Sequence, residues 1–135
     1  MKIELLFLFI VSTLICHQGI TQDKAKADPI TGTWRGSSLC QVKDSPCHDE
    51  IAVYHATKQT ATTYQFQMNK MVNGKEEEMG PLVFTWNETR QTLTAINHSS
   101  RGDGHWTFQL KGNTMHGTLT VENNTLYRII DLKKE

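Results

Sequence analysis

From Gly32 to the C-terminus, apolar and polar residues alternate with a period of two, broken by turn-forming residues. That period puts successive side chains on opposite faces of an extended chain. No segment in this region carries the i, i+3, i+4 repeat of an amphipathic helix. The chain is therefore expected to be all-β, with each strand burying one face.

Eight strands are expected. The first, Gly32–Val42, carries Trp34, Gly36, Ser38 and Cys40 on one face. In the second, Glu50–Thr57, Ile51 and Val53 alternate with Ala52 and Tyr54. The third, Ala61–Val72, sets Tyr64, Phe66 and Met68 against Gln65, Gln67 and Asn69. Asn73-Gly74 follows, the strongest hairpin signal present, because a type I′ turn needs positive φ at both central positions. The fourth strand, Lys75–Trp86, is interrupted at Gly80-Pro81, where the missing N–H predicts a bulge or an edge. Its Leu82, Phe84 and Trp86 share a face. The fifth, Gln91–His98, turns Leu93 and Ala95 inward, and Ser99–Gly104 is the longest polar connection in the second half. The sixth, His105–Lys111, aligns Trp106, Phe108 and Leu110. The seventh, Thr114–Glu122, aligns Met115, Gly117, Leu119 and Val121, and the eighth is Thr125–Leu132.

Every connection is short enough to join neighbouring antiparallel strands. The expected architecture is an eight-stranded up-and-down meander closed into a barrel, since closure removes exposed edges. At eight strands the interior is just wide enough to hold one small ligand. A two-sheet sandwich would need a long crossover, and the connections offer none.

Ahead of the barrel, Lys2 precedes the apolar run Leu5–Ile15, and a polar stretch follows. This is the layout of a secretory signal peptide, and the run is short for a membrane span. Cleavage after Thr21 leaves Gly19 at the −3 position, so residues 1–21 are read as a signal, 22–29 as a polar tether and 30–135 as the barrel. Cys16 offers another route, cleavage and lipidation, but Ile15 stands where a lipidation box wants a small residue. The expected location is secreted, extracellular or periplasmic. Cys40 and Cys47 are an even pair in an exported chain and read most simply as a disulfide. A zinc site on Cys40, Cys47 and His48 lacks the second ligand cluster such sites use, so no metal is expected.

Lys+Arg and Asp+Glu both number 14, giving zero net charge. That balance argues against nucleic acid or an anionic membrane as partner, since both demand a cationic excess.

Thr31-Gly32-Thr33-Trp34-Arg35-Gly36 opens the first strand, and a Gly-x-Trp there resembles the lipocalin and wider calycin signature. The resemblance covers about residues 30–132. It implies that Trp34 closes one end of the barrel and stacks under an Arg of the last strand, the position of Arg128. Such a cation–π contact is worth about 1–2 kcal/mol when desolvated. The same opening is similar to that of the avidin family, with Trp86 and Trp106 as pocket candidates, but that family's polar first-strand series and Trp-Lys segment are missing. It is also similar to nitrobindin-like haem barrels, although Ser37-Ser38-Leu39 replaces their further glycines and the last His is His116. Haem is a third reading, and no cofactor is assigned.

The interior positions that would line a ligand are Tyr64, Phe66, Leu82, Phe84, Leu93, Trp106, Phe108 and Leu119, with space left at Gly36, Ser38, Ala95 and Gly117. The same side chains also suit a solid core. Two functions follow: a barrel binding a small apolar molecule inside, or a solid scaffold touching proteins through its Cys40–Cys47 and Ser99–Gly104 loops. Ser99 or Ser100 with Asp103 and His105 imitate a nucleophile, acid and base, but spacing on one loop does not orient a triad. His48-Asp49-Glu50 likewise lacks a partner framework, so no enzyme is expected. His55, His98, His105 and His116 are placed on strand surfaces or ends, and Glu76-Glu77-Glu78 reads as a solvated strand start. Asn87, Asn97 and Asn123 head glycosylation triplets at turns.

Overall fold

A computed structural model describes residues 26–135. The apolar leader, Cys16 and residues 22–25 of the tether lie outside the described residues. Eight strands follow in sequence: β1 (Gly32–Cys40), β2 (Glu50–Lys58), β3 (Thr63–Val72), β4 (Lys75–Asn87), β5 (Thr92–Ser99), β6 (Gly102–Lys111), β7 (Thr114–Val121) and β8 (Thr125–Lys134). One 3₁₀ turn, Glu122–Asn124, joins the last two. Each strand pairs antiparallel with the next, and β1 pairs with β8, so the meander closes into a barrel in strand order. The all-β, eight-stranded expectation holds.

Turn chemistry set much of this. Asn73 and Gly74 both take positive φ (51° and 77°), as the I′ hairpin requires. Gly80-Pro81 does not break β4. The register runs Met68↔Gly80 and then Asn69↔Glu78, leaving Met79 as the extra residue of a bulge. A second shift leaves Tyr127 unpaired between Leu119↔Arg128 and Thr120↔Leu126. The Ser99–Gly104 loop is shorter than expected. Ser99 pairs with Gly102, and Gly104 pairs with Asn97 with Leu119 packed over it, so only Ser100 and Arg101 make the turn.

The inward phase is the one the alternation indicated. Trp34, Tyr54, Tyr64, Phe66, Phe84, Leu93, Phe108, Met115 and Ile130 are fully buried. Phe66 packs against Phe84 in a tilted pair at 4.7 Å between ring centroids, and Phe84 meets Phe108 at 5.6 Å, so aromatics fill the middle of the barrel. On β2 the inward pair is Ala52 and Tyr54, while Ile51 is exposed. Val53 faces outward yet is also fully buried.

Trp34 is buried as expected, and its indole N–H donates to Ile30 O at 2.7 Å. Arg128 is not its partner. Trp34 lies opposite Lys134 in the β1–β8 register, and Arg128 lies opposite Cys40, six residues along β1. At a strand rise of about 3.4 Å per residue, this separates the two by roughly 20 Å. The cation over the indole is Lys134, with Nζ 5.5 Å from the ring. Lys134 Nζ also donates to Pro29 O. Asp28 accepts from the backbone N–H groups of Ile30 and Thr31 and from the Tyr64 hydroxyl. Asp28 and Pro29, read as tether, are thus bonded to the closed end of the barrel.

Candidate functional site

The end opposite Trp34 is the mouth. There the inward phase of several strands turns polar, placing Ser38 of β1, Glu50 of β2 and Arg128 of β8 around the axis. Both bulges lie at this level. One turns Met79 to the cavity edge, and the other precedes Arg128, which suits a device that re-aims side chains beside a site. The resulting cavity has a volume of 280 Å³. The side formed by Met68, Met79, Pro81, Leu82, Trp106 and Leu119 is mainly apolar, with Asn97 of β5 bonded to Trp106 within it, and β8, β1 and β2 present Arg128, Ser38, Glu50 and Tyr54.

Arg128 is held from several sides. Its Nη1 donates to Ser38 O, Ser38 Oγ and His48 O, each at 3.2 Å, and its Nη2 lies 3.4 Å from Glu50 Oε1. The Glu50 and Arg128 side chains are each only 11% exposed. Behind Glu50, Lys70 Nζ stands 3.7 Å away and also meets Glu77 at 3.6 Å. Burial of two charges is costly unless they are paired and hydrogen-bonded, and here they are both. The Tyr54 hydroxyl pKa is pushed well above its ordinary value by burial. Arg128 and a hydrogen bond with Ser38 oppose that push and Glu50 adds to it, so Tyr54 stays neutral at the cavity floor. Asn97 accepts the Trp106 indole N–H through Oδ1 at 2.7 Å, and among the described residues its amide N–H groups have no partner.

The Cys40–Cys47 disulfide is formed, with Cα atoms 5.8 Å apart. It supports the loop that delivers the His48 carbonyl to Arg128. Asp49 Oδ1 caps the Cys40 N–H, and Tyr127 O accepts from the Gln41 N–H.

Of the eight residues expected to line a ligand, Leu82, Trp106 and Leu119 reach this cavity. Phe66, Phe84, Leu93 and Phe108 pack the core below it. Tyr64 and Trp86 border a separate 240 Å³ hollow near the closed end, with Asp28, Lys58 and Glu88. Glu50, Arg128, Asn97, Met68, Met79 and Tyr54 were missed as wall residues. A signal existed for Arg128, which shares its phase with Ile130 and Leu132; a charge in an inward phase marks a site.

The loop constellations resolve otherwise. Asp103 pairs with His98 (2.7 Å), and Ser99 Oγ donates to Gly102 O, so neither is aligned with His105. His116, the histidine weighed for haem, pairs with Asp131 at 2.6 Å on the exposed face of β7 and β8. Glu76 is more than a solvated charge: His55 Nε2 lies 2.7 Å from it and Asn69 Nδ2 donates to it at 2.8 Å. Among the described residues no group of three or more His, Cys, Asp or Glu is placed to hold a metal ion. No helix among them is long and apolar enough to cross a membrane.

Fold and mouth together define an eight-stranded, calycin-like up-and-down barrel. No protein-family profile and no curated protein matches the sequence. Among solved structures, the chain is similar to a point mutant of the fluorescent protein UnaG. The TM-score is 0.50 at 9% identity, covering 78% of this chain and 95% of that one. At that identity the likeness establishes the fold alone.

Proposed function

We propose that the protein is an exported barrel that binds one small, partly apolar molecule at its mouth. The observation that carries this reading is the 280 Å³ cavity, with an apolar wall facing buried hydrogen-bonding groups. Ligand sites commonly combine a mainly apolar lining with a few placed polar groups, and this volume falls just below their usual range, which suits a small ligand. The aromatic packing beneath the floor limits the ligand to the mouth instead of the whole interior. The disulfide is compatible with an extracellular location.

The test is a screen of short-chain amphiphiles by ligand-observed NMR, with Leu119→Trp as the blocked form. Binding by the wild type and its loss in a folded Leu119→Trp variant is the expected result. Unchanged binding in that variant would place the ligand elsewhere and overturn the reading. The filled lower half favours a second reading, a solid scaffold acting through its surface. On that reading no amphiphile binds, and the blocking substitution changes nothing.

A further inference from the structure

Resting on that reading, we infer that the mouth selects a neutral head group carrying both a hydrogen-bond donor and an acceptor, and that Glu50 is the residue that excludes anions. The motive is the charge arithmetic around Arg128. A lone buried guanidinium would favour a carboxylate, but this one already faces Glu50 at 3.4 Å, and Ser38 and His48 take the donors of its Nη1. Lys70 adds a second cation behind Glu50, and Glu77 answers it. The four groups sum to zero. A carboxylate entering beside Arg128 would meet Glu50 at nearly the same range, so attraction and repulsion almost cancel while the full loss of hydration remains. An ammonium head meets the mirror problem, attracted by Glu50 and repelled by Arg128.

A neutral amide or alcohol avoids both costs. Asn97 Nδ2 remains as a neutral donor beside Trp106, and Glu50 supplies an acceptor. The tail would lie against Leu82, Trp106 and Leu119. At about 30 Å³ per water-sized group, the cavity holds roughly nine such groups, one short of an eight-carbon amide, whose end would reach the open rim.

The experiment compares octanamide, octanoate and octylammonium at pH 7 by calorimetry and by the indole N–H resonance of Trp106. Octanamide is expected to bind at least tenfold more tightly than either ion. Glu50→Gln is expected to raise octanoate affinity at least tenfold relative to octanamide. Octanoate binding as well as octanamide to the wild type would overturn the inference and leave the mouth site standing. If none of the three binds, the proposed function fails and the inference with it. Should Glu50→Gln not fold, the wild-type comparison decides alone. If it folds and octanoate gains nothing, Glu50 is not the discriminator and that assignment is overturned.

Discussion

Single side chains set the barrel's tolerances. Gly36 and Gly117 both sit where a methyl group would strike a neighbour, but the neighbours differ. At Gly36 the obstacle is the backbone of Asp131 and Leu132 alone, and at Gly117 it is the edge of the Phe108 ring together with the Thr107 carbonyl. Both methyls therefore meet sheet backbone, but the approach at Gly36 is the closer one and falls on β8, the strand that closes the barrel. Gly117→Ala is expected to cost about 1–3 kcal/mol by overpacking, and Gly36→Ala more. Urea titrations of the two variants check the order, and equal losses would show that the β1–β8 contact yields as easily as the β6–β7 one. Asp28 sets a pH limit at the closed end. Burial pushes its pKa up, but the N–H groups of Thr31 and Ile30 and the Tyr64 hydroxyl outweigh that and hold it below the ordinary 3.8. A depressed carboxyl adds stability that is present above the unfolded-state pKa and is lost as pH falls through the folded one. Asp28→Asn should therefore be less stable than wild type at pH 6, with the difference shrinking below about pH 4. A gap that stays constant down to pH 2.5 would show that the charge is irrelevant.

At the level of strands, much was legible because a period of two is unambiguous when turns are marked. Asn73-Gly74 announced its hairpin, and the inward phases of β3, β6 and β7 follow directly from Tyr64-Phe66-Met68, Trp106-Phe108-Leu110 and Met115-Gly117-Leu119. Register around the barrel was not legible. It decides which residue of β8 meets Trp34, and a family pattern supplied Arg128 where the pairing supplies Lys134. The site was half legible, since alternation gave the inward face but not the height along the axis at which packing gives way to a cavity. Nor does alternation show that two neighbouring strands part. β4 and β5 share only the pairs Thr85↔Thr94, Trp86↔Leu93 and Asn87↔Thr92, although β4 has 13 residues and β5 has 8. Above those pairs Val83 and Ile96 are exposed on either side of the seam, and Ile96 is 51% accessible. Backbone groups without a ladder partner exchange freely with solvent. Amides of β4 and β5 that point into the seam should therefore exchange much sooner than those of the fully paired β6 and β7. Hydrogen exchange followed by NMR checks this, and equal protection would mean that the seam closes in solution.

Considered whole, the barrel is graded along its axis. One end is clasped by Asp28, Trp34 and Lys134, the middle is filled with aromatics, and the mouth holds paired charges around a void. Closure depends on β1 meeting β8 across nearly the full length of the described chain, the contact whose loop entropy is hardest to recover during folding. The two ends of that seam are secured differently. At the closed end Glu135 N–H bonds Thr33 O and Arg35 pairs with Glu135 at 2.6 Å, while at the mouth the disulfide loop holds Arg128 through the His48 carbonyl. Removing both cysteines (Cys40→Ala with Cys47→Ala) should lower stability by about 2.5 kcal/mol on the chain-entropy estimate for so short a loop. The grading adds a spatial expectation. Exchange protection should fall more at Ser38, Cys40 and Arg128 than at Trp34 and Gly36, because only the mouth end loses its anchor. A uniform fall along β1 would mean that the disulfide acts through the unfolded chain alone, and that Arg128 keeps its place without the loop.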